Sequence, residues 1–313
     1  MDRRQTLPKK FRYALEYLVF RILLWPLQML SLNAVNRLGR FLGTTFYHCT
    51  PSRRRIARVN LDVAFGNSKS PDEKNRITKQ SMIHMMTVAI QGLWITRNTK
   101  QRVHQLFPDG PEGTENLLGG LEKGKGVLCL MAHYGNWEAF GIFWGYTLEA
   151  RINSVARKLD NRLLEDYLAR LRAAPGNGVF HKEEAPRKIL RALKANQLVG
   201  IMLDQNGGVH GLFVDFFGKK AATARSLALL CYSSGASVVP TIPFPKEDGT
   251  YRAVALPEIQ LDKTGDKETD IFRWTQAYQK VLEDVIRKQP EPWMWIHRRW
   301  KTRPPDEQEP GVY

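Results

Sequence analysis

The chain has 313 residues and a mass of 35.9 kDa, long enough to bury a core without disulfide or metal staples. Its 43% apolar and 25% charged residues exclude a disordered chain, and its 17 prolines and 24 glycines, which follow no period, exclude a collagen-like or low-complexity one. Lys and Arg total 47 against 31 Asp and Glu, a net charge of +16, which calls for an anionic partner: nucleic acid, a membrane surface or an acidic substrate.

The charge is concentrated at the start of the chain. Residues 1–60 hold twelve basic groups and two acids, so this segment alone carries +10. The same segment holds the main apolar run, FRYALEYLVFRILLWPLQMLSL (11–32), about as long as the roughly 20 residues of a bilayer span. Arg12, Glu16 and Arg21 interrupt it and Pro26 is placed to kink it. A central Arg costs about 2.5–3.5 kcal/mol on an insertion scale, so the run reads as a membrane-embedded or interfacial anchor with basic flanks suited to anionic headgroups. The alternative is a buried core helix. No small-residue cleavage site follows the run, so a signal peptide is not expected. Basic flanks on both sides suit the cytoplasmic face of a membrane.

Residues 33–62 read as helical and basic, with Ile56, Val59 and Val63 near one face of the 53–65 stretch. Pro71-Asp72-Glu73 has the signals of a helix start and predicts a helix to about Trp94. From about residue 120, short apolar runs alternate with amphipathic stretches. The strand candidates are 127–131, 152–156, 198–203, 237–242, 251–256 and 293–296. The helix candidates lie near 136–147, 160–173, 184–196, 222–234 and 269–288. This alternation predicts an α/β fold with a mostly parallel central sheet flanked by helices. Three regions follow: 1–50, an N-terminal membrane anchor or interfacial helices; 51–118, a helical segment packed on the core; and 119–313, the α/β core.

Ligands of such sheets bind at the carboxyl ends of strands, which directs attention to His133, Arg157, Asp204 and Pro243. His133 leaves the most apolar strand candidate and is followed five residues later by Glu138, a general base with an acid to orient it. His104/Asp109 and His210/Asp215 have the same spacing without a strand leading in. In a regular helix, positions five apart point about 140° apart, so the pair needs the turn that Gly135 and Asn136 allow. The bland reading is a satisfied structural His. Arg157 at a strand end suits a phosphate or a developing oxyanion, or is an ordinary exposed Arg. Asp204-Gln205-Asn206-Gly207-Gly208 is a tight turn or part of a polar site.

The stretch WMWIHRRWKTRP (293–304) reads as an aromatic and basic interfacial belt, a last strand with a solvated tail, or a base-stacking patch. Phe140, Phe143 and Trp144 suit an acyl groove or the core equally. Gly119 to Gly126 imitates a phosphate-binding loop but has Gly after Lys125 and precedes a strand. There is no GxSxG, HExxH or GxGxxG. Cys49, Cys129 and Cys231 form no CxxC pair, which disfavours a zinc site and a disulfide scaffold and fits a reducing compartment. Neither metal nor nucleotide chemistry is indicated.

These residues carry a resemblance. HYGNWE (133–138) is similar to the HX4(D/E) block of the lipid A biosynthesis acyltransferases, the late lauroyl and myristoyl transferases of Gram-negative envelopes. RRRIARVNLDVAF, ARKLDNRLLEDYL (156–168), VGIMLDQNGG (199–208), VDFFGKKAATARSLALL (214–230) and HRRWKTRP (297–304) resemble blocks of the same family in the same order. The resemblance implies a glycerolipid-acyltransferase-like core at the cytoplasmic face of a bacterial inner membrane. It implies transfer of a fatty acyl chain from acyl carrier protein to a hydroxyl of an anionic lipid A precursor of the Kdo-lipid IVA type. The thioester, on the carrier or on coenzyme A, is then a co-substrate and no cofactor is expected. By position, His133 is the base and Glu138 its partner, while Asn136, Arg157, Asn161, Asp204, Gln205 and Thr223 match substrate-binding positions.

Two alternatives stand beside it. The same chemistry can serve another acceptor, such as a phospholipid, an aminolipid or a glycosylated inositol lipid. A non-enzymatic basic protein that binds membranes or nucleic acid also fits the charge, although no nucleic-acid module is recognisable.

Overall fold

The computed structural model describes residues 7–148, 150–156, 158–181, 184–305, 307 and 311–313. An apolar run just after residue 120 becomes the centre of a sheet: β2 (Val127–Met131) is buried at all five positions. Around it stand β1 (Pro111–Glu112), β3 (Ile152–Ala156), β4 (Gly178–His181), β5 (Leu198–Met202), β8 (Ser237–Pro245) and β9 (Tyr251–Ala255), in the order β1-β9-β8-β2-β5-β3-β4. All neighbours pair in parallel except β8 with β9, which form a hairpin. A separate hairpin joins β6 (Leu212–Phe216) to β7 (Lys219–Thr223).

One face of the sheet is covered by α9 (Ala185–Lys194), α10 (Ser226–Ser234) and α11 (Lys267–Lys288), whose apolar sides join one core with Leu128, Leu130, Val199 and Ile201. On the other face α5 (Thr99–Leu106), α6 (Thr114–Glu122) and α7 (Trp137–Thr147) contribute to a second core with Val127, Cys129 and Val239. Fully burying one such aliphatic or aromatic side chain contributes about 1.5–3 kcal/mol. Phe140, Phe143 and Trp144 belong to this second core; Phe107 stacks on Phe143 at 4.7 Å, so the three rings fill space instead of lining an open acyl groove.

The first part of the chain is helical: α1 (Leu7–Leu27), α2 (Leu32–Cys49), α3 (Pro51–Phe65) and α4 (Pro71–Trp94). The expected helix 71–94 is found with the predicted bounds. Ser70 and Glu73 cap it reciprocally, each side chain bonding the other's backbone N–H. The basic stretch 33–62 is two helices because Pro51 starts a new one. In α3 the buried stripe is Ile56, Ala57, Asn60, Leu61 and Ala64, rotated from the expected Ile56–Val59–Val63 line because Asn60 is drawn inward to bond the Trp295 and His297 carbonyls, both at 2.6 Å. Helices α2 and α4 approach closely at two glycines: a Cβ on Gly39 would lie 2.6 Å from the Thr87 Cα, and one on Gly43 2.5 Å from that of Ile83.

Helix α1 has two apolar sides. Leu24 and Leu27 face inward, while Phe11, Leu15, Leu18, Ile22 and Trp25, spaced three and four apart, remain exposed. Ile22, Leu23 and Trp25 are 61–67% exposed. Among the described residues, no helix is long and apolar enough to cross a membrane.

The segment 293–304 forms neither a strand nor an aromatic surface. Trp293, Trp295, Arg299 and Trp300 are buried, and Trp293 and Trp295 meet edge to face at 4.6 Å. Their indole area is too large to leave in water when Phe65, Phe216 and Phe217 are at hand to pack against.

Candidate active site

The register of the central strands builds the site. Residues of β2 and β5 pair from Val127 with Leu198 to Met131 with Met202. Two residues past each end stand His133 and Asp204, so both emerge side by side at the carboxyl edge of the sheet. The Asp204 carboxylate is buried and takes three hydrogen bonds. His133 Nδ1 lies 2.9 Å from Oδ1, while the His133 backbone N–H and the Trp293 indole N–H both donate to Oδ2 at 2.9 Å. Each donor favours the ionised form. Burial alone would raise its pKa, but the imidazole beside it and these hydrogen bonds hold the carboxyl down at about 2.

The effect on His133 is reciprocal. Burial disfavours the imidazolium, but the Asp204 charge and hydrogen bond outweigh it, with a smaller contribution from the charge of Glu138, and the pKa is raised. With Nδ1–H engaged by Asp204, Nε2 is the unprotonated ring nitrogen. The Gln205 amide nitrogen is 3.4 Å from it, and the Trp137 ring stands edge-on to the imidazole.

Glu138 has a different direct partner. It lies in the first turn of α7, and its carboxylate is held by the Arg172 guanidinium through Nε at 3.0 Å and Nη2 at 2.9 Å. Arg172 belongs to α8 (Arg162–Ala173). Burial opposes the Arg172 cation, but Glu138 and, more weakly, Glu165 keep its pKa raised. The position that sequence reasoning gives to Glu138, on the imidazole nitrogen, is thus filled by Asp204. A turn forms at Gly135, which adopts φ +56° and where a Cβ would sit 1.9 Å from the Pro243 carbonyl oxygen, but it does not bring Glu138 onto the imidazole.

Behind Asp204 lies a buried cationic support. Arg299 donates to the Ala222 carbonyl, the Thr223 hydroxyl and the Gln279 side-chain oxygen, and Gln279 donates in turn to the Leu203 carbonyl at 2.7 Å. Burial lowers the Arg299 pKa to about 10 against the attraction of Asp204. His297 accepts the Asn206 backbone N–H at 3.1 Å, which fixes the loop after Asp204; burial lowers its pKa.

The family model of the bacterial lipid A biosynthesis acyltransferases matches residues 1–302. The chain belongs to this family. It is an acyltransferase. A lipid A biosynthesis lauroyltransferase of Escherichia coli (strain K12) is 27% identical over 300 residues, 94% of this chain and 93% of its own length. A lipid A biosynthesis palmitoleoyltransferase of the same strain is 27% identical over 285 residues, 90% of this chain and 89% of its own. A phosphatidylinositol mannoside acyltransferase of Mycolicibacterium smegmatis is 26% identical over 190 residues, 59% of this chain and 60% of its own.

Set in this acyltransferase, the residues singled out from the sequence fall into three groups. His133, Asp204 and Gln205 converge at the sheet edge, with Glu138 beside them. Asn136, Asn161 and Thr223 are buried and committed to structure. Asn136 caps α7. Asn161 caps α8 and reaches the Tyr13 carbonyl at 3.1 Å and Glu16 at 2.9 Å, joining α8 to α1. Thr223 receives Arg299. Arg157 lies outside the described residues. Sequence reasoning missed Trp293, Arg172, Gln279 and Arg299. The signal available in the sequence was that His133 and Asp204 each stand just past the end of an apolar strand candidate. Among the described residues, no group of three or more His, Cys, Asp or Glu side chains is placed to hold a metal ion.

Proposed function

We propose that this acyltransferase moves a fatty acyl chain from an acyl carrier protein thioester to a hydroxyl of a lipid A precursor of the Kdo-lipid IVA type. The observation that carries the reading is the His133–Asp204 pair at the carboxyl edge of the sheet, in a chain of this family. His133 Nε2 takes the proton of the acceptor hydroxyl as its oxygen attacks the thioester carbonyl. The C–S bond breaks, and the departing thiolate receives that proton from the imidazolium. Asp204 holds the tautomer with a free Nε2 and stabilises the cation that forms. Glu138, the acid of the HX4E block, adds negative potential at the imidazole while bound to Arg172. General base catalysis of this kind contributes about 10²–10⁴-fold. The reaction needs no cofactor beyond the thioester.

The exposed stripe of α1, from Phe11 to Trp25, lies in the surface of the bacterial inner membrane on its cytoplasmic side, and the basic residues of 1–60 meet anionic headgroups there. The Mycolicibacterium relative favours one second reading, the same chemistry on a glycosylated inositol lipid.

The test incubates detergent-purified protein with a panel of acyl carrier protein and coenzyme A thioesters and a Kdo-bearing lipid A precursor, with a phosphatidylinositol mannoside in parallel. Mass spectrometry reads the added chain. A mass gain on the lipid A precursor that is lost in His133→Ala supports the proposal. A gain on the mannoside alone supports the second reading. Equal transfer by His133→Ala refutes the mechanism. For the membrane, Ile22→Asp/Leu23→Asp is expected to abolish co-flotation with phosphatidylglycerol vesicles; unchanged flotation refutes the α1 assignment.

A further inference from the structure

One buried residue outside this chemistry uses every hydrogen-bonding group of its side chain. Gln91, on α4, is fully buried. Its Oε1 accepts from Asn136 Nδ2 and from the Tyr251 hydroxyl, both at 2.8 Å. Its Nε2 donates to Asn36 Oδ1 at 2.8 Å and to the Gly249 carbonyl at 3.1 Å. A primary amide has two donor hydrogens and two acceptor sites, so Gln91 is saturated. It joins α2, α4, the β8–β9 hairpin and the turn between His133 and Glu138.

Asn136 is the link to that turn. It too is fully buried, and its amide is used at both ends. Oδ1 accepts the Ala139 N–H at 3.0 Å and so caps α7, while Nδ2 goes to Gln91. The Gln91 acceptor decides which end of the amide faces the helix. A flipped amide would aim NH2 at the helix N–H groups and lose the cap. Through Gln91, helix α4 therefore holds the turn at Asn136.

We infer that Gln91 is a positioning residue for acyl transfer. By orienting Asn136, it fixes the turn that carries His133 at one end and Glu138 at the other. The inference rests on the reading of His133 as the base.

Three variants test it, with His133→Ala alongside. Gln91→Met removes the acceptor for Asn136. Gln91→Glu keeps an acceptor at that place and alters only the side facing Asn36 and Gly249. Asn36→Ala disturbs the same network on the side away from the turn. Transfer is measured as kcat and KM for donor and acceptor across pH, with Tm for each variant. Gln91→Met is expected to lower kcat at least tenfold with both KM values within twofold. Its acid limb should move to lower pH, because Glu138 is no longer held near the imidazole. Gln91→Glu and Asn36→Ala are expected to keep kcat within threefold, even where Tm falls as far as in Gln91→Met. A wild-type kcat in Gln91→Met, or an equal loss in Asn36→Ala, overturns the inference while leaving the His133 reading intact. Full transfer by His133→Ala overturns both.

Discussion

Replacing Asp204 by Asn tests the site at its centre. The substitution keeps the shape and removes the charge. Oδ2 receives two fixed donors, the His133 backbone N–H and the Trp293 indole N–H, whereas among the described residues Oδ1 meets only the imidazole. The Asn carbonyl oxygen must therefore take the Oδ2 place, and its NH2 then faces His133 Nδ1. The imidazole can accept that hydrogen bond only with its own proton on Nε2, which is the wrong tautomer for removing a proton from a hydroxyl. The loss of tautomer and counter-charge in an equivalent buried Asp–His pair costs about 10⁴ in kcat, some 5 kcal/mol of barrier. Folding stability should fall by only about 1–3 kcal/mol, since two of the three donors remain satisfied. The assay is kcat for acyl transfer against pH. Wild type should show an acid limb above the ordinary imidazole pKa of 6.5, because the His133 value is raised. In Asp204→Asn the residual activity should titrate at lower pH. A kcat within threefold of wild type, or an unmoved limb, would refute the reasoning.

Other consequences follow from the same neighbourhood. Arg172→Met should move the acid limb of kcat/KM upward, since the Glu138 charge would then act on the imidazolium without a competing cation; a downward shift contradicts this. Gly135→Ala should cost at least about 2 kcal/mol in denaturant unfolding, from left-handed backbone and the 1.9 Å approach to Pro243 together. Gly110→Ala, with φ +78° and open space around it, should cost less, and equal losses would contradict the steric argument. His84 on α4 is part-buried, and its pKa falls to about 4 from 6.5, chiefly because its surroundings desolvate the imidazolium. Because the folded value is the lower one, the neutral ring's contribution is complete above pH 6.5 and is lost as pH falls toward 4. That loss is about 3 kcal/mol, and His84→Gln should flatten it in unfolding curves taken between pH 7 and 4.

Much of this was legible in the chain itself. Strands β2, β3, β5 and β9 lie where runs of five or six residues predict them, and α4 begins at its own start signal and runs to Trp94 as expected. The basic, apolar first segment and the ordered blocks from HYGNWE to HRRWKTRP indicated the family, to which the family model assigns residues 1–302. Short-range rules reach this far because helix caps, strand periodicity and motif spacing are local properties.

Tertiary structure decided the partners. The Asp204 carboxylate lies 71 positions from His133 in the chain, and only the parallel register of β2 and β5 sets it on the imidazole. Glu138, five positions away, is turned to Arg172 by the packing of α7 against α8. The four basic residues and three tryptophans of 293–304 look like a surface in one dimension. Three dimensions bury the indoles and Arg299, because the indoles find Phe65, Phe216 and Phe217 and the guanidinium finds Thr223 and Gln279. A sequence carries residue types and their local period. Which buried donor meets which buried acceptor depends on strand register and helix packing, and those settle only when the whole core closes.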